Sequence, residues 1–248
     1  MTVDRPVTVV FVPGAWHGAW CFDPVLARLT AAGVSAIALD LPGRGADRGE
    51  LTDLHGDADR VRQVLDAIPG DVLLVGHSYG GAVITEAGVH PAVRHLVYLA
   101  AHVLREDESC MAAALEEATV ISHDGRPDLG AHLVIHPDGV STLDEGVAPL
   151  FYGDCPPAAV DWAMGQLGPQ LMASLAQQPE AVAWRERPST YVVCEQDQAI
   201  HPDLQRILAR RCTNAVAWPT GHSPFLSQPQ LVADLVRDLL VGIAADRA

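Results

Sequence analysis

Val72-Leu73-Leu74-Val75-Gly76-His77-Ser78-Tyr79-Gly80-Gly81 reads as a buried strand that runs into a tight turn and then a helix. A serine hydroxyl is a weak nucleophile unless it is held beside a base, and a sharp strand-to-helix turn projects it from the sheet edge. Gly76 and Gly80 lack the β-carbons that would crowd such a turn. A helix starting near Tyr79 aims its free N–H groups and positive dipole end at charge developing on Ser78. The bland alternative is a glycine-rich turn that happens to hold a serine. The strand before it and the helix after it favour the nucleophile.

Outward from that turn, strand and helix alternate. Val7 to Val12 is a valine-rich run of the kind buried on both faces in a parallel sheet. Asp23-Pro24 opens a helix that Gly33 closes, and Ser35 to Leu39 is the second strand. Val61, Val64, Leu65 and Ile68 fall on one helical face, stopped by Pro69-Gly70. After Ser78 a helix runs to about His90-Pro91, and Arg94 to Ala100 is the next strand. The rhythm breaks from Ala101 to about Arg187, which reads as a mainly helical insertion (Met111 to Ala118, Ala158 to Leu167, Leu171 to Gln177). Turns at Asp124-Gly125 and Asp138-Gly139 allow a small hairpin around His132 to Ile135. Alternation resumes with Thr190 to Cys194, a helix from Pro202 to Arg211, Ala215 to Trp218 and a closing helix bearing Leu231, Leu235 and Leu239. The expected class is α/β: six strands, mostly parallel, with helices on both faces. Residues 1–100 hold the first half of the core, 101–187 the insertion and 188–248 the second half.

Composition narrows the function. Apolar residues make up 49% and charged residues 19%, and no apolar run approaches the ~20 residues of a membrane span. With 31 acidic against 16 basic residues the formal charge is −15, which repels nucleic acid and anionic lipid. Five scattered cysteines, an odd number without a Cys-x-x-Cys pair, read as free thiols. No signal segment is visible at Met1-Thr2-Val3-Asp4-Arg5-Pro6, so the expected compartment is the cytoplasm.

Ser78 needs a base, and a neutral imidazole is the common solution. The serine turn resembles that of α/β-hydrolases, which implies that the acid and then the histidine follow it in chain order, each on a loop after a later strand. Asp197 and His222 occupy such loops, with Glu195 and Asp203 left open as alternative acids. Of the two N–H donors that a tetrahedral oxyanion requires, one belongs to Tyr79 and the other to Ala15 in the loop after the first strand. His17 and His102 also follow strands at the carboxyl edge and line either the pocket or its rim. His77, His90, His95, His123 and His136 have no partner spacing, and nothing suggests a metal or cofactor.

Phe11-Val12-Pro13-Gly14-Ala15-Trp16-His17-Gly18-Ala19-Trp20, Ala38-Leu39-Asp40-Leu41-Pro42-Gly43, the serine motif, Tyr191-Val192-Val193-Cys194-Glu195-Gln196-Asp197 and Gly221-His222-Ser223 resemble the α/β-hydrolase superfamily. Within it they are most similar to the branch of plant methylesterases, hydroxynitrile lyases and bacterial pyrethroid-type esterases. Phe151-Tyr152-Gly153-Asp154-Cys155-Pro156 looks like the bacterial members. The resemblance implies triad roles for Ser78, Asp197 and His222, oxyanion roles for Ala15 and Tyr79, and a cap formed by the insertion. Hydroxynitrile lyases of this branch resemble one another in having threonine where this chain has Gly14 and lysine where it has Ser223. Relatives usually place an aromatic residue at the position of His102.

The expected function is a cofactor-independent serine hydrolase that cleaves carboxylic esters of small, largely apolar molecules through an acyl-enzyme. Trp16, His17, His102, Phe151, Trp162 and Met164 are the expected substrate contacts. The alternatives are thioester or lactone cleavage, cyanohydrin-type lyase chemistry, and a small-molecule receptor on the same scaffold. The partner is a small-molecule ester, with no nucleic acid or membrane, and the chain is a monomer or homodimer.

Overall fold

The computed structural model describes residues 6–120 and 128–245. Seven elements alternate through the first part: β1 (Val7–Val12), α1 (Asp23–Ala31), β2 (Ala36–Ala38), α2 (Leu54–Ala67), β3 (Asp71–His77), α3 (Gly80–Ala87) and β4 (Val93–Leu99). The insertion holds α4 (Cys110–Val120), β5 (Leu133–Ile135), β6 (Val140–Leu143), α5 (Ala148–Tyr152), α6 (Pro157–Met164), β7 (Gln170–Leu171) and α7 (Met172–Ala176). Then follow β8 (Ser189–Cys194), α8 (Pro202–Ala209), β9 (Asn214–Trp218), α9 (Pro224–Ser227) and α10 (Pro229–Ala245).

The six core strands form one sheet in the order β2-β1-β3-β4-β8-β9, with every neighbouring pair parallel. All seven residues of β3 are buried, with the apolar run at residues 72–75 lying between two helical layers. α1 packs against α10, and α2 against α3. The chain passes from β1 outward to β2 and then back across to β3. Loops after β1 and β3 therefore diverge and leave a crevice at their carboxyl ends, where ligands meet such sheets.

Several boundaries differ from the sequence reading. The helix after Ser78 ends at Ala87, since Gly88 and the turn to Val93 follow. Asp23 lies inside α1 and supplies first-turn negative charge, not a side-chain cap, while Gly33 does end that helix at φ +72°. The insertion is less helical than expected. The Asp138-Gly139 turn, with Gly139 at φ +80°, joins β5 to β6, and β7 adds a third antiparallel strand. The Asp124-Gly125 turn and His123 lie outside the described residues.

Candidate active site

The serine turn is built by close backbone packing. A β-carbon at Gly76 would lie 2.5 Å from the Gly80 carbonyl oxygen, and one at Gly80 would lie 2.5 Å from the Val12 carbonyl oxygen. Only glycine lets α3 approach β1 and β3 so closely. Ser78 itself takes φ +52°, a left-handed conformation costly for a residue with a side chain. Its backbone is held on both sides. The N–H donates to the Leu99 carbonyl at 3.3 Å, and the carbonyl accepts from Gly81 N at 3.0 Å and His102 N at 3.1 Å. Ser78 is half-buried and directly follows β3 at the carboxyl edge of the sheet.

Asp197, after β8, and His222, after β9, meet: His222 Nδ1 lies 2.8 Å from Asp197 Oδ2, and both side chains are buried. The carboxylate also accepts from Ala199 N (2.7 Å) and Ile200 N (3.0 Å) at Oδ1 and from Gln205 Nε2 (2.7 Å) at Oδ2. Glu195 and Asp203, the alternative acids, are exposed and pair with Arg206. Gln205 was not anticipated. It falls on the buried face of α8 with Leu204 and Leu208, and a glutamine on an apolar stripe was the available signal.

The loop bearing His222 is pinned from two directions. Asp154 of the insertion accepts from Gly221 N at 2.8 Å, and His77 Nε2 donates to the His222 carbonyl at 2.9 Å. His77, which has no partner spacing in the sequence, is thus packed against His222 with ring centroids 4.6 Å apart. Burial, reinforced by nearby His222 and His17, drives its pKa well below the ordinary value.

In the loop after β1, His17 N donates to the Gly14 carbonyl at 3.2 Å, closing a turn with Trp16 at φ +62°. Trp16 is held there by the insertion: its Nε1 donates to Ser141 Oγ at 3.2 Å, and its carbonyl accepts from Gly168 N at 2.8 Å. Among the described residues none accepts a hydrogen bond from the backbone N–H of Ala15 or of Tyr79. His17 Nδ1 donates to the Ala15 carbonyl at 2.8 Å, which leaves Nε2 to accept from Tyr152 Oη at 2.8 Å. Burial lowers the His17 pKa to about 4, against the pull of the Ala15 carbonyl and with the help of His222.

The expected substrate contacts separate into two groups. Phe151 stacks on His222 (centroids 5.4 Å, 27°) and meets Trp16 and His17 at 6.2 and 5.4 Å. His102 adjoins Ser78 through its backbone, and burial lowers its pKa to about 4, with Glu108 opposing and His222 assisting. Trp162 instead stands 42% exposed on α6, edge-on to Trp20 at 5.2 Å, and Met164 packs half-buried against the core. Trp20 and Phe225 were missed: Trp20 stacks on His17, and Phe225 meets His77 edge-on at 4.7 Å.

One group among the described residues has metal-ligand character, His55, Glu86 and Glu180, with ligand atoms within 4.8 Å of one another. Glu86 already accepts from His55 Nδ1 (2.9 Å), Glu180 N (3.2 Å) and Arg62 (3.5 Å), so its oxygens are occupied and a fixed cation is nearby. No described helix is long and apolar enough to cross a membrane.

A family model described as the alpha/beta hydrolase family matches residues 9–235. The chain is 30% identical over 247 residues to the alpha/beta hydrolase nvfD of Aspergillus novofumigatus, covering 93% of this chain and 95% of that protein. It is 28% identical over 257 residues to the pFDCC methylesterase MES16 of Arabidopsis thaliana, covering 92% of each. Its fold is similar to that of a pyrethroid hydrolase from Sphingobium faniae, with a TM-score of 0.81 at 24% identity over 94% of this chain and 96% of that one. With the match running through nearly all of the core, from β1 to α10, the chain belongs to the alpha/beta hydrolase family.

Proposed function

We propose that the protein hydrolyses carboxylic esters of small, largely apolar molecules through an acyl-enzyme on Ser78. The observation that carries this reading is the buried 2.8 Å contact between His222 Nδ1 and Asp197, on loops at the same sheet edge as the strained turn of Ser78. With Nδ1–H donating to the carboxylate, the lone pair of the imidazole is on Nε2, the tautomer required of a general base. His222 takes the Ser78 proton as Oγ attacks the ester carbonyl, and the N–H groups of Ala15 and Tyr79 receive the oxyanion. The leaving alkoxide takes the proton back from His222, and water repeats the sequence to free the acid. Trp16, Phe151 and the neutral imidazoles of His17 and His102 favour an uncharged, apolar substrate. The esterase name of the Arabidopsis relative supports the same reaction.

Thioesters and lactones would pass through the same groups. Cyanohydrin cleavage is disfavoured, because Gly14 supplies no hydroxyl and Ser223 no cation to balance departing cyanide. The test is an ester panel run beside intact-mass detection of a fluorophosphonate adduct on Ser78. Turnover with labelling is the expected result. Labelling without turnover of any ester would point to a receptor, and absence of both would overturn the proposal.

A further inference from the structure

Beneath the serine turn, away from the reacting atoms, lies a buried ion pair that the triad does not use. Arg44 and Asp57 are 1% and 0% exposed, and their side chains are in direct contact through Arg44 Nη2 and Asp57 Oδ1. Asp57 Oδ1 also accepts from Thr52 Oγ1 at 2.6 Å, and Oδ2 accepts from the Tyr79 hydroxyl at 2.6 Å. The guanidinium spends its other donors on Gln170 Oε1 (2.8 Å) and the Pro42 carbonyl (3.3 Å). Gln170 continues to Ser174 Oγ, which donates to the Leu171 carbonyl at 2.7 Å. Close by, Gln177 binds the start of α2, accepting from Leu54 N at 2.8 Å and donating to Asp53 at 2.9 Å.

A buried ion pair adds little stability over well-packed apolar residues of the same volume, so its use lies in fixing one arrangement of the segments it joins. Here it joins the loop after β2 (Arg44), α2 (Asp57), the residue after Ser78 (Tyr79) and the insertion (Gln170). Tyr79 is 1% exposed with its hydroxyl tied to Asp57, and only two side-chain torsions separate that anchor from its backbone. The peptide N–H of the same residue faces no protein acceptor among the described residues. Fixing the ring therefore fixes the direction of the N–H, and oxyanion donors work only when their geometry is set in advance.

We propose that Arg44 and Asp57 are positioning residues for the Tyr79 N–H, and that Gln170 extends the same constraint into the insertion. The inference rests on the ester-hydrolysis reading, in which that N–H receives the oxyanion. It is tested on the full chain with Tyr79→Phe, Asp57→Asn, Arg44→Lys and Gln170→Ala. The measurements are kcat and KM on the best ester and the inhibition constant of a trifluoromethyl ketone, whose adduct with a serine carries an oxyanion. Tyr79→Phe removes one oxygen and leaves the ion pair in place. It should lower kcat by roughly tenfold, leave KM within about twofold, and weaken the ketone by the same factor as kcat/KM. Asp57→Asn and Arg44→Lys should lose more, since a lysine cannot span Asp57 and Gln170 together, and Gln170→Ala less. Should the charge variants fail to fold, Tyr79→Phe and Gln170→Ala decide. A Tyr79→Phe enzyme with unchanged kcat and ketone affinity, or one altered only in KM, overturns the inference while leaving the reaction standing. A wild-type protein that neither cleaves an ester nor binds the ketone overturns both.

Discussion

His77 donates from Nε2 to the backbone carbonyl of His222, 2.9 Å away, so the residue beside the candidate nucleophile supports the loop of the candidate base. Because the carbonyl can only accept, the His77 proton is on Nε2, and Nδ1 is buried with no partner among the described residues. Replacing His77 with Phe strands the His222 carbonyl in the core. We expect a loss of about 1–3 kcal/mol in unfolding free energy, with kcat falling more than KM rises. Urea titration and steady-state kinetics on the same preparation check this, and an unchanged kcat would mean that the bond does not position the base.

Gln205 donates to Asp197 and the Ile200 carbonyl and accepts from Cys194 N at 2.8 Å, so its amide ties the acid loop to the end of β8. Gln205→Leu should lower kcat by roughly tenfold by loosening Asp197. Gln205→Glu should be worse, because a second buried carboxylate beside Asp197 raises the pKa of one of the two. Comparing kcat across pH 6 to 9 separates the variants, and a Glu variant more active than the Leu variant would contradict this account.

Acidification should destabilise the fold before it reaches the carboxylate range. His17 has its pKa lowered to about 4 by burial, whereas in the unfolded chain it titrates near 6.5. The unfolded state therefore binds the proton first. Stability is full above about pH 6.5 and is lost as pH falls toward about 4, by about 3 kcal/mol for this residue. His77 and His102 act in the same direction. Asp47 and Asp53, with pKa values lowered mainly by backbone hydrogen bonds from Gly43 and Gly56, respectively, act in the same sense at lower pH. His55 opposes them: despite its partial desolvation, Glu86 raises its pKa, so its contribution is lost as pH rises. Urea unfolding between pH 7 and 4.5 should show falling stability with a shallower slope for His17→Gln. A flat profile would contradict the burial of these neutral imidazoles.

Installing the two lyase-type residues should not create a lyase. A β-carbon on Gly14 would lie 2.9 Å from His77 Nδ1 and 3.0 Å from Ser78 Cβ, so threonine must push aside the His77 ring and crowd Ser78. Ser223 is fully buried, and a lysine there would place an ammonium in a dry site. We expect Gly14→Thr with Ser223→Lys to lose ester turnover by on the order of a hundredfold and to release no cyanide from mandelonitrile. Cyanide release by the double variant would show that the site accommodates both side chains.

The core was legible because its central strands carry apolar runs such as residues 72–75 and 96–99 and its serine turn is bracketed by glycines with no room for a β-carbon. The insertion was less so: β7 is two residues long, too short for any periodicity, and exists only by pairing with β6. Asp197 could not be separated from Glu195 and Asp203 by spacing, since the difference is burial against Gln205. His77 finds its partner 145 positions away. Asp57 did leave a trace, standing on the same helical face as Val61 and Leu65, where an unpaired carboxylate would be untenable.

The role of Ser78 is tested most directly by Ser78→Ala, assayed against the best ester and by thermal melting. Ser78 is only half-buried, so the melting temperature should stay within a few degrees while turnover falls by roughly 10⁴- to 10⁶-fold. A folded Ser78→Ala protein that keeps a tenth of the wild-type rate would contradict the account.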